Sequence, residues 1–214
     1  MMKKGIVVSV CAVLLVAIAI TLYFVFPINE TIPEGVLARV NGISITEEQV
    51  NNTLKFNQIQ MESLTTVLRQ STGSEEKTQE LLKDHSFPTT KDEVLNGLIR
   101  AEVACQQLEQ QGKLISSENA VKTFEEEFAL MQTSKTKESF YVVLQQVLES
   151  RKMTLEEYAS LGRMVSYAFY NLEYLEQNFK NSDEYDETAS ETLDQQYDVY
   201  LNELVEDAKV ERVS

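Results

Sequence analysis

The sequence predicts a mainly α-helical fold. A small β patch closes it by pairing strands from near the two ends of the chain, and one N-terminal transmembrane helix precedes it. Three observations carry this. The run Gly5–Phe26, "GIVVSVCAVLLVAIAITLYFVF", has no charged residue. The stretch "VLARVNGISITEEQV" reads strand, tight turn, strand and helix start, and the tail "AKVERV" is again strand-like. Most of what lies between carries apolar residues three and four apart, the period of a helix face.

The apolar run spans 22 residues. As a helix that is roughly 33 Å, enough to cross a hydrocarbon core of about 30 Å. It is longer than a cleavable signal core and ends in "FVFPINE" without a small-residue cleavage pattern, so it reads as a retained anchor. Val8 and Ser9 before Cys11 do not make a lipoprotein signal. Lys3 and Lys4 precede the span and Glu30 and Glu34 follow it. The positive-inside rule then leaves residues 1–4 in the cytoplasm and places a linker, 27–35, and a domain, 36–214, outside. In a bacterium this is a single-pass protein of the cell membrane with its bulk extracytoplasmic.

The elements of that domain follow in order. Val36–Val40 and Ile43–Ile45 flank Asn41-Gly42, the dipeptide that tolerates positive φ at both turn positions. Thr46 and Gln49 have capping-box spacing, and Val50, Leu54, Met61, Leu64 and Leu68 continue a helix that Asn57 interrupts. "STGSEEKTQ" reads as the loop that closes it, with a short turn over Leu81–Phe87. Thr90 and Glu93 form a second box, ahead of Val94, Leu98, Ala101, Cys105 and Leu108. Gly112 suits a left-handed helix end, with Leu114 packing back. "ISSEN" restarts a helix bearing Val121, Phe124, Phe128 and Met131; Phe140, Leu144, Val147 and Leu148 mark another. Thr154 and Glu157 make the third box. The seam Tyr158, Leu161, Val165, Ala168, Leu172, Leu175 and Phe179 steps alternately by three and four. "NSDEYDETASETLD" reads as an acidic linker, and a last helix runs from about Leu193 to Ala208. A hairpin alone is marginal in water, so Val210–Val213 is the expected third strand, beside Leu37–Val40.

Composition narrows function. Without Lys3 and Lys4 the 19 basic residues fall to 17, against 34 acidic, a net −17 outside the membrane. No basic stripe is present to meet phosphates, so nucleic acid is not an expected partner. Cys11 lies in the apolar run and Cys105 outside it, so they cannot pair within one chain. Cys105 falls on an apolar helix face and reads as a small buried hydrophobe rather than a reactive thiol. One histidine, His85, and one exported cysteine cannot build a zinc site, and no phosphate-loop or dinucleotide fingerprint occurs. The sequence points to no catalytic residue, no metal ligand and no cofactor.

Taken together, "ARVNGISITEEQV", "DEVLNGLIRAEVACQQLEQQGKLISSENAV", "VLESRKMTLEEYASLGRMVSYAFYNLEYL" and "YLNELVEDAKVERV" resemble the N-terminal chaperone domain of the SurA/PrsA/trigger-factor-like foldases. The resemblance runs from about Leu37 to Val213, with gaps near 71–89 and 181–192. Each piece is a common structural motif; their order is what carries the likeness. It implies a helical domain that binds unfolded or exported polypeptides without catalysis. In such foldases a parvulin prolyl-isomerase domain usually precedes the closing helix and strand. Here only Asn181–Asp194 occupies that place, and no glycine follows Gly162. The resemblance therefore implies the chaperone part without the isomerase.

The candidate client-binding residues are Met164, Tyr167, Tyr170, Tyr174, Met131 and Phe128. Met is adaptable and polarizable, and Met164, Tyr167, Tyr170 and Tyr174 form a stripe off the main seam that must bury or line a groove. The seam residues Tyr158, Leu161, Val165 and Leu172 read as core. Two other readings remain: an adaptor holding one membrane partner or a second copy of the chain, and, third, a divergent prolyl isomerase.

Overall fold

The computed structural model describes residues 33–83, 87–133 and 135–213, without the side chains of 135–139. The expected anchor Gly5–Phe26, most of its flanks and His85 lie outside them. Among the described residues no helix is long and apolar enough to cross a membrane.

Strands β1 (Val36–Val40) and β2 (Ile43–Thr46) form an antiparallel hairpin, with Val40 opposite Ile43. Asn41 and Gly42 have φ of 50° and 91°, the two positive values a primed two-residue turn requires. An irregularity between Val36 and Ala38 breaks the register once. Val36, Ala38 and Val40 face inward, as alternation along a half-buried strand demands. The tail returns as β3 (Val210–Arg212), antiparallel to β1, with Val210 opposite Val40. Backbone bonds extend the pairing at both ends, from Asn41 N to the Lys209 carbonyl and from Val213 N to the Leu37 carbonyl. The sheet order β2-β1-β3 is the three-stranded patch the tail predicts.

Seven helices among the described residues lie between β2 and β3. They are α1 (Glu47–Thr72), α2 (Glu75–Lys83), α3 (Lys91–Gln110), α4 (Ser117–Thr133), α5 (Lys135–Ser150), α6 (Leu155–Lys180) and α7 (Leu193–Asp207). The three predicted capping boxes open α1, α3 and α6. In each, the threonine hydroxyl accepts the amide of the residue three on, whose side chain returns the bond. A fourth box, Thr192 with Gln195, opens α7. At the end of α3, Lys113 N bonds the Leu108 carbonyl and Gly112 N that of Glu109, with Gly112 at φ 67°. That is the predicted Schellman close, and Leu114 packs on the cluster holding Leu108.

Two readings along α1 are corrected. The loop after it is only Gly73-Ser74: Gly73 caps the helix in the left-handed region, and α2 begins at Glu75, well before Leu81. The buried face of α1 is Val50, Ile59 and Ser63 rather than Met61, Leu64 and Leu68, which stay half-exposed. The acidic linker is also more ordered than its composition implies. Gln196 donates to the Asp186 and Glu191 carbonyls, and the Tyr185 ring meets that of Phe179 at 6.1 Å.

Three apolar clusters result. The first joins the sheet to α1 and α3 through Ala38, Val40, Ile45, Val50, Val94 and Ile99. The second joins α1, α5 and α6 through Ile59, Leu144, Leu148, Tyr158 and Leu161. The third seats α7 on α3 and α6 through Leu108, Leu175, Phe179, Tyr197 and Leu201. Each fully buried Leu or Ile contributes about 1.5–3 kcal/mol relative to exposure.

Candidate functional site

Between the second cluster and the sheet the helices do not close. They leave a cavity of about 560 Å³, within the range of ligand-binding clefts. Helix α1 lines it with Phe56, Asn57 and Gln60, the approach to α3 with Phe87 and Pro88, and α3 itself with Gly97, Leu98 and Ala101. Helix α4 adds Phe124, Glu127, Phe128 and Met131; α6 adds Tyr158, Gly162, Val165, Ala168, Phe169, Tyr170 and Leu172.

Four rings make one end of it. Phe56 stacks on Tyr158 at 5.2 Å, Phe124 on Phe128 at 5.7 Å, and Phe128 meets Tyr158 at 5.8 Å. This close approach of α4 to α6 depends on Gly162. A β-carbon placed there would lie 2.0 Å from Phe124 Cζ. The Phe124 ring therefore rests directly on the α6 backbone.

Polar ties span the walls. Gln60 Nε2 donates to the Tyr158 hydroxyl at 2.7 Å, and Asn57 Nδ2 to the Pro88 carbonyl at 3.0 Å. The Tyr170 hydroxyl donates to Glu127 Oε2 at 2.5 Å. Burial first, and then this carboxylate, hold the Tyr170 phenol well above its usual range. Fully buried Asn171 donates to the Ile115 and Tyr167 carbonyls and accepts the Ile115 amide, fixing the α3–α4 connection to α6.

A second cavity of about 260 Å³ lies on the other side of the α3–α6 contact. Thr53, Leu98, Ala101, Val165 and Ala168 line both, so the two share one wall. Beyond that wall the smaller cavity meets Ile43–Ile45 of β2, Glu48 and Asn52 of α1, Glu102 and Cys105 of α3, and Met164 and Tyr167 of α6. Burial, then Glu102, pushes the Cys105 thiol up to about 12, so this cysteine, 5% exposed, is the inert buried residue the sequence predicts. Burial, then Cys105, likewise raises the Tyr167 phenol to about 12. Burial also raises the Glu102 carboxyl, and nearby Glu109 adds to it.

The predicted client-binding residues divide between three places. Phe128, Met131 and Tyr170 line the larger cavity; Met164 and Tyr167 line the smaller. Tyr174 lines neither, and packs on the cluster of Ala104, Leu108 and Leu175. The seam also divides. Tyr158, Leu161, Leu175 and Phe179 are buried, but Val165, Ala168 and Leu172 stay half-exposed as cavity wall. Core is thus the wrong reading for Val165, while Leu172 lines the cavity and also packs on the third cluster. A step of three and four marks a face of a helix and says nothing of whether the opposing face closes over it. Phe169, 54% exposed at the cavity, falls outside the predicted set. So does Asn57, whose place in an apolar stripe is the one sequence signal of its role.

The family model described as SurA-like N-terminal domain matches residues 1–164, a stretch that ends inside α6. No curated protein matches the chain, and no solved structure does.

Proposed function

The chain belongs to the SurA-like N-terminal domain family, and from that premise we propose that it holds unfolded or exported polypeptides in the larger cavity, without bond chemistry. The observation that carries this is the cavity itself: about 560 Å³ of largely apolar wall in a domain of chaperone type. Apolar contact supplies the affinity, and half-exposed Met131 and exposed Phe169 offer surface that adapts to unlike sequences. The net charge of −15 keeps the loaded protein soluble. In this reading Gly5–Phe26 anchors the chain in a bacterial cell membrane, with the helical domain on the outer side.

The test is light scattering from a reduced, unfolding client mixed with the full-length chain in lipid nanodiscs. The same is done with Phe169→Ser/Met131→Ser, whose fold is checked by circular dichroism. Suppression by the wild type and its loss in the folded variant is the expected result. If the wild type suppresses nothing, general holding is refuted, and a single dedicated membrane partner becomes the reading to pursue.

A further inference from the structure

The walls of the two cavities differ in a way that bears on what enters them. Of all the residues lining either, the charged ones are Glu127 in the larger and Glu48 and Glu102 in the smaller. Among the described residues no Lys or Arg lines either. The three carboxylates are not equivalent. The Tyr170 hydroxyl answers Glu127. Glu48 is exposed on the first turns of α1. Glu102 is half-buried on α3, takes one bond from the neutral Gln106 amide at 2.9 Å, and feels Glu109 two turns on. It is a partly desolvated anion, and among the described residues no cation lines its cavity.

The rest of the smaller cavity's lining is uncharged and in larger part apolar, with Ser44, Gln49, Asn52 and Thr53 among its neutral polar members. Ile45, Val165, Ala168 and Met164 supply apolar wall to a space of about 260 Å³. That lining suits a long aliphatic stem with a charged head, since lysine and arginine bury their methylenes and keep the head at a polar group.

We propose that the smaller cavity is a subsite for a lysine or arginine side chain of the bound polypeptide, with Glu102 as its counter-ion. The occupant is thus an extended segment carrying a basic residue beside an apolar one, the apolar residue entering the larger cavity across the shared wall. The assignment rests on the larger cavity holding chain, as proposed above. The raised carboxyl of Glu102 agrees with it: an incoming cation relieves both its burial and its repulsion from Glu109.

The test measures binding of three fluorescent peptides by anisotropy, with the full-length chain in nanodiscs of zwitterionic lipid. The peptides share one apolar core and differ at the neighbouring position, which is lysine, serine or glutamate. At low salt the lysine peptide is expected to bind about fivefold tighter than the serine peptide, the size of a partly buried ion pair. In Glu102→Gln that preference falls below about twofold while serine-peptide binding is unchanged, and added salt narrows it in the wild type. Glu187→Gln removes a charge from an exposed residue that lines neither cavity, and should keep the preference. Equal binding of lysine and serine peptides overturns the subsite and leaves the larger cavity as a chain holder. So does a preference that survives Glu102→Gln, since it then belongs to the overall negative field. If no peptide binds, the chain-holding reading falls, and this assignment with it.

Discussion

Replacing Gly162 by alanine tests the cavity's construction at its tightest point. The new β-carbon would stand 2.0, 2.4 and 2.7 Å from three atoms of the Phe124 ring. No pair of carbons tolerates that, so the ring must leave its seat on α6. Its stack on Phe128 and its edge contact with Phe56, at 6.5 Å, go with it. Overpacking of this kind costs about 1–3 kcal/mol. Alanine in a helix interior returns roughly 1 kcal/mol over glycine, so the net ranges from near zero to about 2 kcal/mol of destabilisation. Gly97 supplies the control. It lies in α3 on the same cavity, and a β-carbon there meets no atom within 4 Å. Gly97→Ala should therefore show the helix gain alone, about 0.5–1 kcal/mol. The two variants should differ by about 1–3 kcal/mol, or about 0.5–1.5 M in urea midpoint at a slope of roughly 2 kcal/mol/M. In a Phe124→Ala background the clash is gone, and Gly162→Ala should then stabilise like Gly97→Ala. A displaced Phe124 ring also intrudes on the cavity, so suppression of client aggregation should fall. If Gly162→Ala stabilises the unaltered chain as much as Gly97→Ala does, the close approach of α4 to α6 is refuted.

Asn171→Ala strips the Ile115 amide and carbonyl of their side-chain partners inside the fold. A loss of about 2–3 kcal/mol in urea unfolding is expected, with faster hydrogen exchange at the Ile115 amide; a loss under about 0.5 kcal/mol contradicts the clamp. The Cys105 thiol, raised from an ordinary value of 9.0 to about 12, should resist iodoacetamide at pH 8 until the chain unfolds. Because the folded state keeps the proton that the unfolded state sheds, stability is complete below pH 9 and declines as pH rises toward 12. Cys105→Ala should lessen that alkaline decline without abolishing it, since raised phenols such as those of Tyr167 and Tyr170 add to it, and a wild-type decline left intact would assign it wholly to the phenols. Glu93 and Glu157 behave oppositely. Backbone amides at Thr89 and Thr90 hold the first below its usual range, and the amide of Thr154 the second. Their contribution is present above the ordinary value of 4.5 and is lost as pH falls through the lower folded value. Glutamine at both keeps the cap without titrating, so acid unfolding of Glu93→Gln/Glu157→Gln followed by circular dichroism should be shallower than wild type. Superimposable acid limbs would remove the boxes from that transition.

The features legible in the sequence are those whose cause is local. Asn41-Gly42 specifies its turn, each Thr-x-x-Glu or Thr-x-x-Gln opens its helix, and Gly112 ends one, because every partner lies within a few residues. The pairing of β3 with β1 is long-range, yet it is readable because a two-stranded hairpin demands a third strand. The cavity is different. Val165 and Leu161 share one seam, but α3 and α4 stand apart where Val165 points and α5 closes where Leu161 does. No spacing within α6 encodes that difference. Asn171 is the same case, since its bonds run to Ile115, 56 residues away. Met164 and Tyr170 share the off-seam stripe yet face different cavities, because the stripe wraps around α6 as it rises.

A space of about 560 Å³ inside a helical domain requires something to keep it open. Apolar walls left to themselves close, since interiors pack at the density of organic crystals and every unfilled contact forfeits dispersion energy. The polar bonds around the cavity oppose that closure. Gln60 to Tyr158 ties α1 to α6, Asn57 to Pro88 ties α1 to the approach of α3, and Tyr170 to Glu127 ties α6 to α4. Asn171 to Ile115 ties α6 to the connection between α3 and α4. Each runs between elements distant in sequence, and each has a fixed length and direction that apolar contact lacks. If the walls collapsed inward, the part-buried pairs, Gln60 with Tyr158 and Asn171 with Ile115, would be parted at about 1–3 kcal/mol for each group left unmatched, while the exposed pairs, Asn57 with Pro88 and Tyr170 with Glu127, would turn to water at less cost. The aromatic end and the polar struts therefore divide the work. The rings of Phe56, Phe124, Phe128 and Tyr158 form a rigid apolar floor, and the struts hold the opposite walls off it. If the cavity holds polypeptide as proposed, a chain that enters meets this floor without first forcing the helices apart.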